Sequence, residues 1–181
     1  ACDGAGACTI GVTGTTNYSG AASFAFTVTA GGQTSGTATA SLTIDTVNDA
    51  PVANAVTPAA FNEDTQSVVT LAYSDTESNL ATACTSSNLT NVTVSQACAC
   101  DGAGVCTIGV TGTANYSGVA SFAFTVTAGG QTSGTATASL TIDAVNDAPV
   151  ANAVTPAAFN EDTQSVVTLA YSDTENNLAT A

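Results

Sequence analysis

The sequence has 181 residues, with 14 Asp and Glu residues and no Lys, Arg or His, so its formal net charge is −14 at pH 7. Because no side chain could neutralise a phosphate, nucleic acids and anionic membrane surfaces are excluded as partners. No apolar run is long enough to insert into a membrane, and clustered carboxylates can be balanced only by something outside the polypeptide.

Apolar and polar residues alternate with a period of two along several segments, which is typical of half-buried strands. The predicted strands lie at 52–57, 68–73, 80–85, 92–94, 107–110, 121–126 and 137–142. Turn residues separate them at 75–79, 86–91, 101–104, 115–118 and 129–134. No segment shows a convincing helical period, so the sequence predicts an all-β fold.

The sequence repeats itself after 98 residues, so that Cys2 returns as Cys100. Residues 1–83 and 99–181 differ at five places: Ala7/Val105, Thr16/Ala114, Ala21/Val119, Thr46/Ala144 and Ser78/Asn176. A period of this size matches one β-sandwich. We therefore expect tandem seven-stranded, immunoglobulin-like β-sandwiches. Residues 1–47 would be the C-terminal half of one repeat, 48–145 a complete repeat and 146–181 the N-terminal part of the next, in a section of a longer array.

Six of the seven acidic residues in each period lie in three short stretches. In a sandwich, the end of the first strand meets the linker that follows the domain, and the second strand returns to the linker that precedes it. One joint should therefore collect Glu63, Asp64, Asp143, Asn146, Asp147, Asp173 and Glu175. The preceding joint should collect Asp45, Asn48, Asp49, Asp75 and Glu77.

These acidic joints have no basic residue to balance them, so we expect each to bind a hard divalent cation. Calcium fits better than magnesium because the oxygen ligands are many, flexible and mostly protein-derived. The alternative is that the acidic linkers are simply solvated and mobile.

The complete period contains four cysteines: Cys84, Cys98, Cys100 and Cys106. The short loop from Cys100 to Cys106 suggests one disulfide, which leaves Cys84 with Cys98, and Cys2 with Cys8 would repeat the first bond. Disulfides favour an oxidising compartment, so an extracellular or cell-surface location is expected. A thiolate–metal site is the alternative, although the Cys-x-Cys spacing is not that of zinc ribbons. Bonds between neighbouring chains remain a further alternative.

Four motifs resemble those of a known family: Phe61-Asn62-Glu63-Asp64-Thr65, Tyr73-Ser74-Asp75-Thr76-Glu77, Ala114-Asn115-Tyr116-Ser117-Gly118 and Val145-Asn146-Asp147-Ala148-Pro149. They are similar to the cadherin-like, immunoglobulin-like tandem repeats of large bacterial surface and secreted proteins. The resemblance covers the whole period. It implies sandwiches joined end to end, often in adhesins or surface fibres, with calcium at the joints.

The sequence can be interpreted as a structural fibre, an adhesin or an enzyme. A stiff extracellular fibre, filament or stalk suits near-identical repeats, whose partners would be neighbouring repeats and other copies of the chain. An adhesin segment that binds glycans or another cell surface is the alternative, although a specific binding surface normally needs exposed aromatic or arginine anchors. An enzyme is not expected, because His and Lys are absent and the carboxylates lie at the joints.

Overall fold

The computed structural model describes residues 1–180. The chain forms two units, one made of Ala1–Asp49 with Thr76–Ser78, the other of Ala50–Asp75 with the residues from Asn79 onward. Within residues 1–180 the regular structure is entirely β, and no helix is long and apolar enough to cross a membrane.

The first unit contains four strands among residues 20–44: β1 (Gly20–Phe26), β2 (Thr29–Ala30), β3 (Gln33–Thr34) and β4 (Ala38–Ile44). β1 pairs antiparallel with β4 from Gly20↔Ile44 to Phe26↔Ala38. The short β2 and β3 pair across Gly31 and Gly32, whose positive φ angles make the tight turn possible.

The second unit contains nine strand segments between Val52 and Asp143: β5 (Val52–Asn54), β6 (Phe61–Asn62), β7 (Gln66–Ser74), β8 (Ala81–Thr90), β9 (Val92–Cys100), β10 (Cys106–Gly112), β11 (Gly118–Ala128), β12 (Gln131–Thr132) and β13 (Ala136–Asp143). One sheet has the order β5-β7-β10-β9. The other has the order β12-β11-β13-β6, with β8 also paired to β11. β14 (Val150–Asn152) and β15 (Ala170–Ser172) form a separate antiparallel pair.

The core of this unit lies between its two sheets. Its fully buried residues include Val69, Ile108, Val110, Phe122, Phe124, Val126, Ala138, Leu140 and Ile142. β13 alternates strictly between buried and exposed residues, as the sequence pattern predicts. At about 1.5–3 kcal/mol for each large side chain, this small core supplies most of the favourable free energy of folding.

The predicted first strand, 52–57, is interrupted in the structure. β5 ends at Asn54, Val56 makes a single parallel bridge to Ala138, and β6 then pairs in parallel with β13. The segment thus moves from one sheet to the other. Pro58, which lacks the N–H group that a strand pairing requires, lies between the bridge and β6. This interruption is one reason why the segments outnumber the seven predicted strands.

The predicted turn at 86–91 is wrong. β8 continues to Thr90, and Ser86 and Ser87 pair with Phe124 and Ala123 of β11. The serines are compatible with a strand because β8 lies on an exposed edge of its sheet, where short polar side chains remain solvated. Asn91 alone, with a positive φ of 58°, separates β8 from β9.

Candidate metal centre at the linker

Glu63 is the most buried acidic residue at the linker that follows β13. It comes directly after β6, and its backbone N–H donates a hydrogen bond to the carbonyl of Asp143, the last residue of β13, at 3.0 Å. The parallel pairing of β6 with β13 brings these two strand ends together. Glu63 Oε1 then accepts a hydrogen bond from the backbone N–H of Val145 at 3.0 Å.

The second carboxylate oxygen of Glu63 is buried without a partner. The residue is only 2% exposed, and Oε2 accepts no hydrogen bond from any of the described residues. A buried carboxylate oxygen without a partner is strongly unfavourable unless a positive charge or a donor compensates it. Since the chain has no Lys, Arg or His, no side chain could supply that positive charge, and a cation would have to come from outside the chain. A cation ligated by Oε2 fits this position.

Glu175, which lies C-terminal to this linker in the sequence, also bonds to it. Its Oε2 atom accepts a hydrogen bond from the backbone N–H of Asp147 at 3.0 Å. Asn146 contributes an oxygen as well as a donor, because its Oδ1 accepts from Asn177 Nδ2 at 2.5 Å while its Nδ2 donates to the carbonyl of Asp147 at 3.1 Å. The linker is therefore bonded by a glutamate on each side.

The turn that carries Glu175 is built locally. Asp173 Oδ1 accepts a hydrogen bond from the backbone N–H of Asn177 at 2.7 Å, which closes the turn 173–177. Both acidic side chains of that turn are half-buried. Asn177 was missed by the sequence analysis. Its spacing from Asp173, repeated earlier as Asp75 and Asn79, was the available signal.

The other predicted ligands at this linker are less constrained. Asp64 and Asp143 are exposed, and Asp64 has a positive φ of 45° at the turn after β6. Among residues 1–180, no three carboxylates have ligand oxygens within 4.8 Å of one another. These ligands would therefore have to move closer together around a cation, which would offset the repulsion between like charges.

The linker that follows β4 makes the same type of contact with a glutamate, within the first unit. The backbone N–H of Asp49 donates to Glu77 Oε2 at 2.9 Å, and Asn48 Nδ2 donates to the carbonyl of Asp49 at 3.3 Å. Asp45, Asp49 and Glu77 line a cleft of about 520 Å³ in this unit. The predicted ligand Asp75 belongs to the second unit, where its Oδ1 accepts from the backbone N–H of Asn79 at 2.8 Å.

Within residues 1–180 the cysteines form three disulfides, Cys2–Cys8, Cys84–Cys98 and Cys100–Cys106. The pairing is the one that the loop spacing suggests. Cys100 and Cys106 face each other across the β9–β10 ladder, whereas Cys84–Cys98 connects β8 of one sheet to β9 of the other. In this state the thiolate–metal alternative does not apply, because all six sulfur atoms are oxidised.

Comparison with known proteins gives a family match and two likenesses of fold. Residues 47–143 match the model of the cadherin-like domain. No curated protein matches the chain. Among solved structures, a variant of an endo-fucoidan hydrolase from glycoside hydrolase family 107 is similar, with 23% identity over 70% of this chain and a TM-score of 0.40. The same enzyme without the variant change is 16% identical over 69% of this chain, with a TM-score of 0.36.

The chain covers 19% of the length of each of these hydrolases, and at such low TM-scores the likeness carries no information about activity. The family match, by contrast, spans β5 to β13 and includes Glu63 and the end of β13. The chain belongs to the cadherin-like domain family.

Proposed function

We propose that this chain is part of a structural, adhesion-type extracellular protein in which cadherin-like sandwiches follow one another and calcium at the linkers stiffens the array. The observation that carries the proposal is the linker Val145–Asp147, whose backbone N–H groups are held by Glu63 on one side and Glu175 on the other. A linker bonded on both sides by acidic residues can be stiffened by a cation that these acids share.

The protein's own residues supply the oxygens and the geometry. Glu63, which is buried and bonded to the end of β13, would be the central ligand. The remaining oxygen ligands would come from the side chains of Asp64, Asp143, Asn146, Asp147, Asp173 and Glu175. Two carboxylates about 6 Å apart repel by about 3 kcal/mol at an effective dielectric constant of 20. Bound calcium would supply the positive charge that this chain lacks, with six to eight oxygen ligands.

The same linker contact occurs twice in the chain, which supports an array of similar domains. The bond from the linker N–H to a glutamate occurs at Asp49–Glu77 and again 98 residues later at Asp147–Glu175, with 2.9 and 3.0 Å between the bonded atoms. Near-identical linkers would give each repeat the same kind of connection to the next, which is what a stiff fibre or stalk requires. Three disulfides support an oxidising, extracellular location.

The proposed role is non-catalytic, with neighbouring repeats and other copies of the chain as partners. The alternative function, adhesion to glycans or to another cell, is not supported by the two tyrosines of the second unit's sandwich. The hydroxyl groups of Tyr73 and Tyr116 are bonded to the main chain, at the N–H of Ala81 and the carbonyl of Val119. Neither tyrosine is thus displayed as a free polar anchor.

Small-angle X-ray scattering of the chain in calcium and in chelator tests the proposal. We expect a larger maximum dimension and a narrower distance distribution in calcium, because bound calcium would hold the linker in one conformation. Magnesium at the same concentration is the control for charge screening. Identical scattering curves in calcium and chelator would contradict the proposed stiffening.

A further inference from the structure

The four cysteines of the second unit form one cluster of sulfur atoms at the side of the sandwich. The Sγ atoms of Cys84, Cys100 and Cys106 all lie within 4.8 Å of one another. Cys98 completes the cluster because its sulfur is bonded to that of Cys84. Among residues 1–180 no other three His, Cys, Asp or Glu side chains bring their ligand atoms this close.

The strands, independently of the two covalent bonds, bring these cysteines together. Cys98 and Cys100 are two residues apart on β9, so their side chains leave the same face of that strand. Cys106 lies directly opposite Cys100 in the β9–β10 ladder. Cys84 comes from the other sheet, where it pairs with buried Val126 of β11. The backbone would therefore keep four thiols close after the disulfides are reduced.

We propose that the reduced form of this domain binds one thiolate-seeking metal ion, of the Zn²⁺ or Cd²⁺ type, through Cys84, Cys98, Cys100 and Cys106. In a tetrahedral site with metal–sulfur bonds of about 2.3 Å, the sulfur atoms lie about 3.8 Å apart. The sulfurs of each bonded pair, Cys84–Cys98 and Cys100–Cys106, would have to move apart to this spacing after reduction. Cys84 Sγ lies within 4.8 Å of the sulfurs of Cys100 and Cys106 and would have to approach them by about 1 Å or less. Burial supports the site, because Cys106 is fully buried and the other three are partly buried.

Charge also favours an ion at this position. Metal-bound thiolates in a chain without Lys, Arg or His have no cationic side chain near them, so the bound ion would be their only source of positive charge. The site is distinct from the calcium centre, since soft thiolates select Zn²⁺ and related ions whereas the carboxylates of the linker select hard cations.

A phosphine reductant and one water molecule give two electrons and two protons to one disulfide, which becomes two thiols, and the phosphine becomes a phosphine oxide. Reduction of both bonds therefore produces four thiols. Metal binding then releases the thiol protons to the solvent, so affinity rises with pH until all four sulfurs are deprotonated. The same four positions thus hold either two disulfides or one ion.

Titration of the phosphine-reduced full chain with Co²⁺, under anaerobic conditions, tests this proposal. We expect one equivalent to bind with the visible absorption bands of a tetrahedral cobalt–thiolate complex, and Zn²⁺ to displace it. Cys84→Ser should weaken binding by at least about tenfold. The matched control, Cys2→Ser with Cys8→Ser, removes a disulfide loop of nearly the same sequence that has no second pair near it, and should change the affinity by less than about twofold.

Alkylation followed by mass spectrometry gives a readout that does not depend on the spectrum. Metal should slow alkylation of the four cysteines of the second unit while Cys2 and Cys8 react at an unchanged rate. Retention of β structure in the reduced, metal-loaded chain should be visible by circular dichroism. Absence of the tetrahedral bands, binding that survives Cys84→Ser, or equal protection of all six cysteines would overturn the proposal.

Discussion

Glu63→Gln should be at least as stable as wild type without calcium and less stable than wild type with calcium. In chelator the wild-type carboxylate has a buried oxygen without a partner, whereas Gln carries no charge and can keep the bond to the N–H of Val145. The Gln amide NH2 would replace the unpartnered oxygen, and a neutral group costs less to bury without a partner than a charged one, so we expect Glu63→Gln to be at least as stable as wild type in chelator.

In calcium the order should invert. A ligand present at one hundred times its dissociation constant stabilises the folded state by about 2.7 kcal/mol. At about 2–4 °C per kcal/mol for a chain of this size, the melting temperature of wild type should rise by about 5–11 °C. The variant, which lacks the buried charge, should gain less than about a third of that increase because one ligand oxygen is weakened.

Differential scanning calorimetry in chelator and in calcium measures both effects. The matched control is Glu161→Gln, since Glu161 occupies the same place in the repeat, 98 residues later, but is exposed. Its melting temperature should be unchanged in both buffers. An equal rise with calcium in Glu63→Gln and wild type, or an equal loss of stability in both buffers, would refute the role of Glu63 as a buried ligand.

Three further predictions concern other positions. Glu175→Gln removes a charged acceptor from the linker and should weaken calcium binding by about tenfold in a calorimetric titration, and an unchanged affinity would contradict its place in the ligand set. Replacing Cys84 and Cys98 together by Ala opens a bond that spans 14 residues, so unfolding in urea should show a loss of about 3 kcal/mol, and a loss below about 0.5 kcal/mol would count against this crosslink. Gly104→Ala should destabilise by about 1–3 kcal/mol, because φ is +82° there and the new Cβ would lie 2.8 Å from the hydroxyl of Tyr73; thermal unfolding equal to wild type would show that the loop relaxes.

Much of the fold could be predicted because the strands alternate strongly. β13 carries Ala138, Leu140 and Ile142 on the inside and hydroxyl residues on the outside, and the structure buries the first set and exposes the second. β8 was harder, because its last four residues, 87–90, are exposed on both faces and therefore show no alternation. The interrupted first strand was missed because the pairing of Val56 and of β6 with β13 depends on the other sheet, which a local pattern does not contain.

The sequence was enough to group acidic residues at the linker, but it could not give their contacts, and their role as ligands stays a prediction. Grouping Glu63 with Asp147 and Glu175 needed only strand direction and the absence of basic residues. That Glu63 is buried, while its neighbour Asp64 is exposed, depends on the backbone bond from Glu63 to Asp143 and on the turn that follows. Both features depend on tertiary structure, so the sequence alone could not show which of the two adjacent acidic residues is buried.

Amide hydrogen exchange at Val145 and Asp147 tests the central claim most directly, because their N–H groups are the ones that Glu63 and Glu175 accept. In calcium, both amides should exchange at least about tenfold more slowly than in chelator, while the amide of buried Leu140 serves as an internal reference. Equal exchange rates for the two linker amides in calcium and chelator would contradict the account that bound calcium fixes the linker.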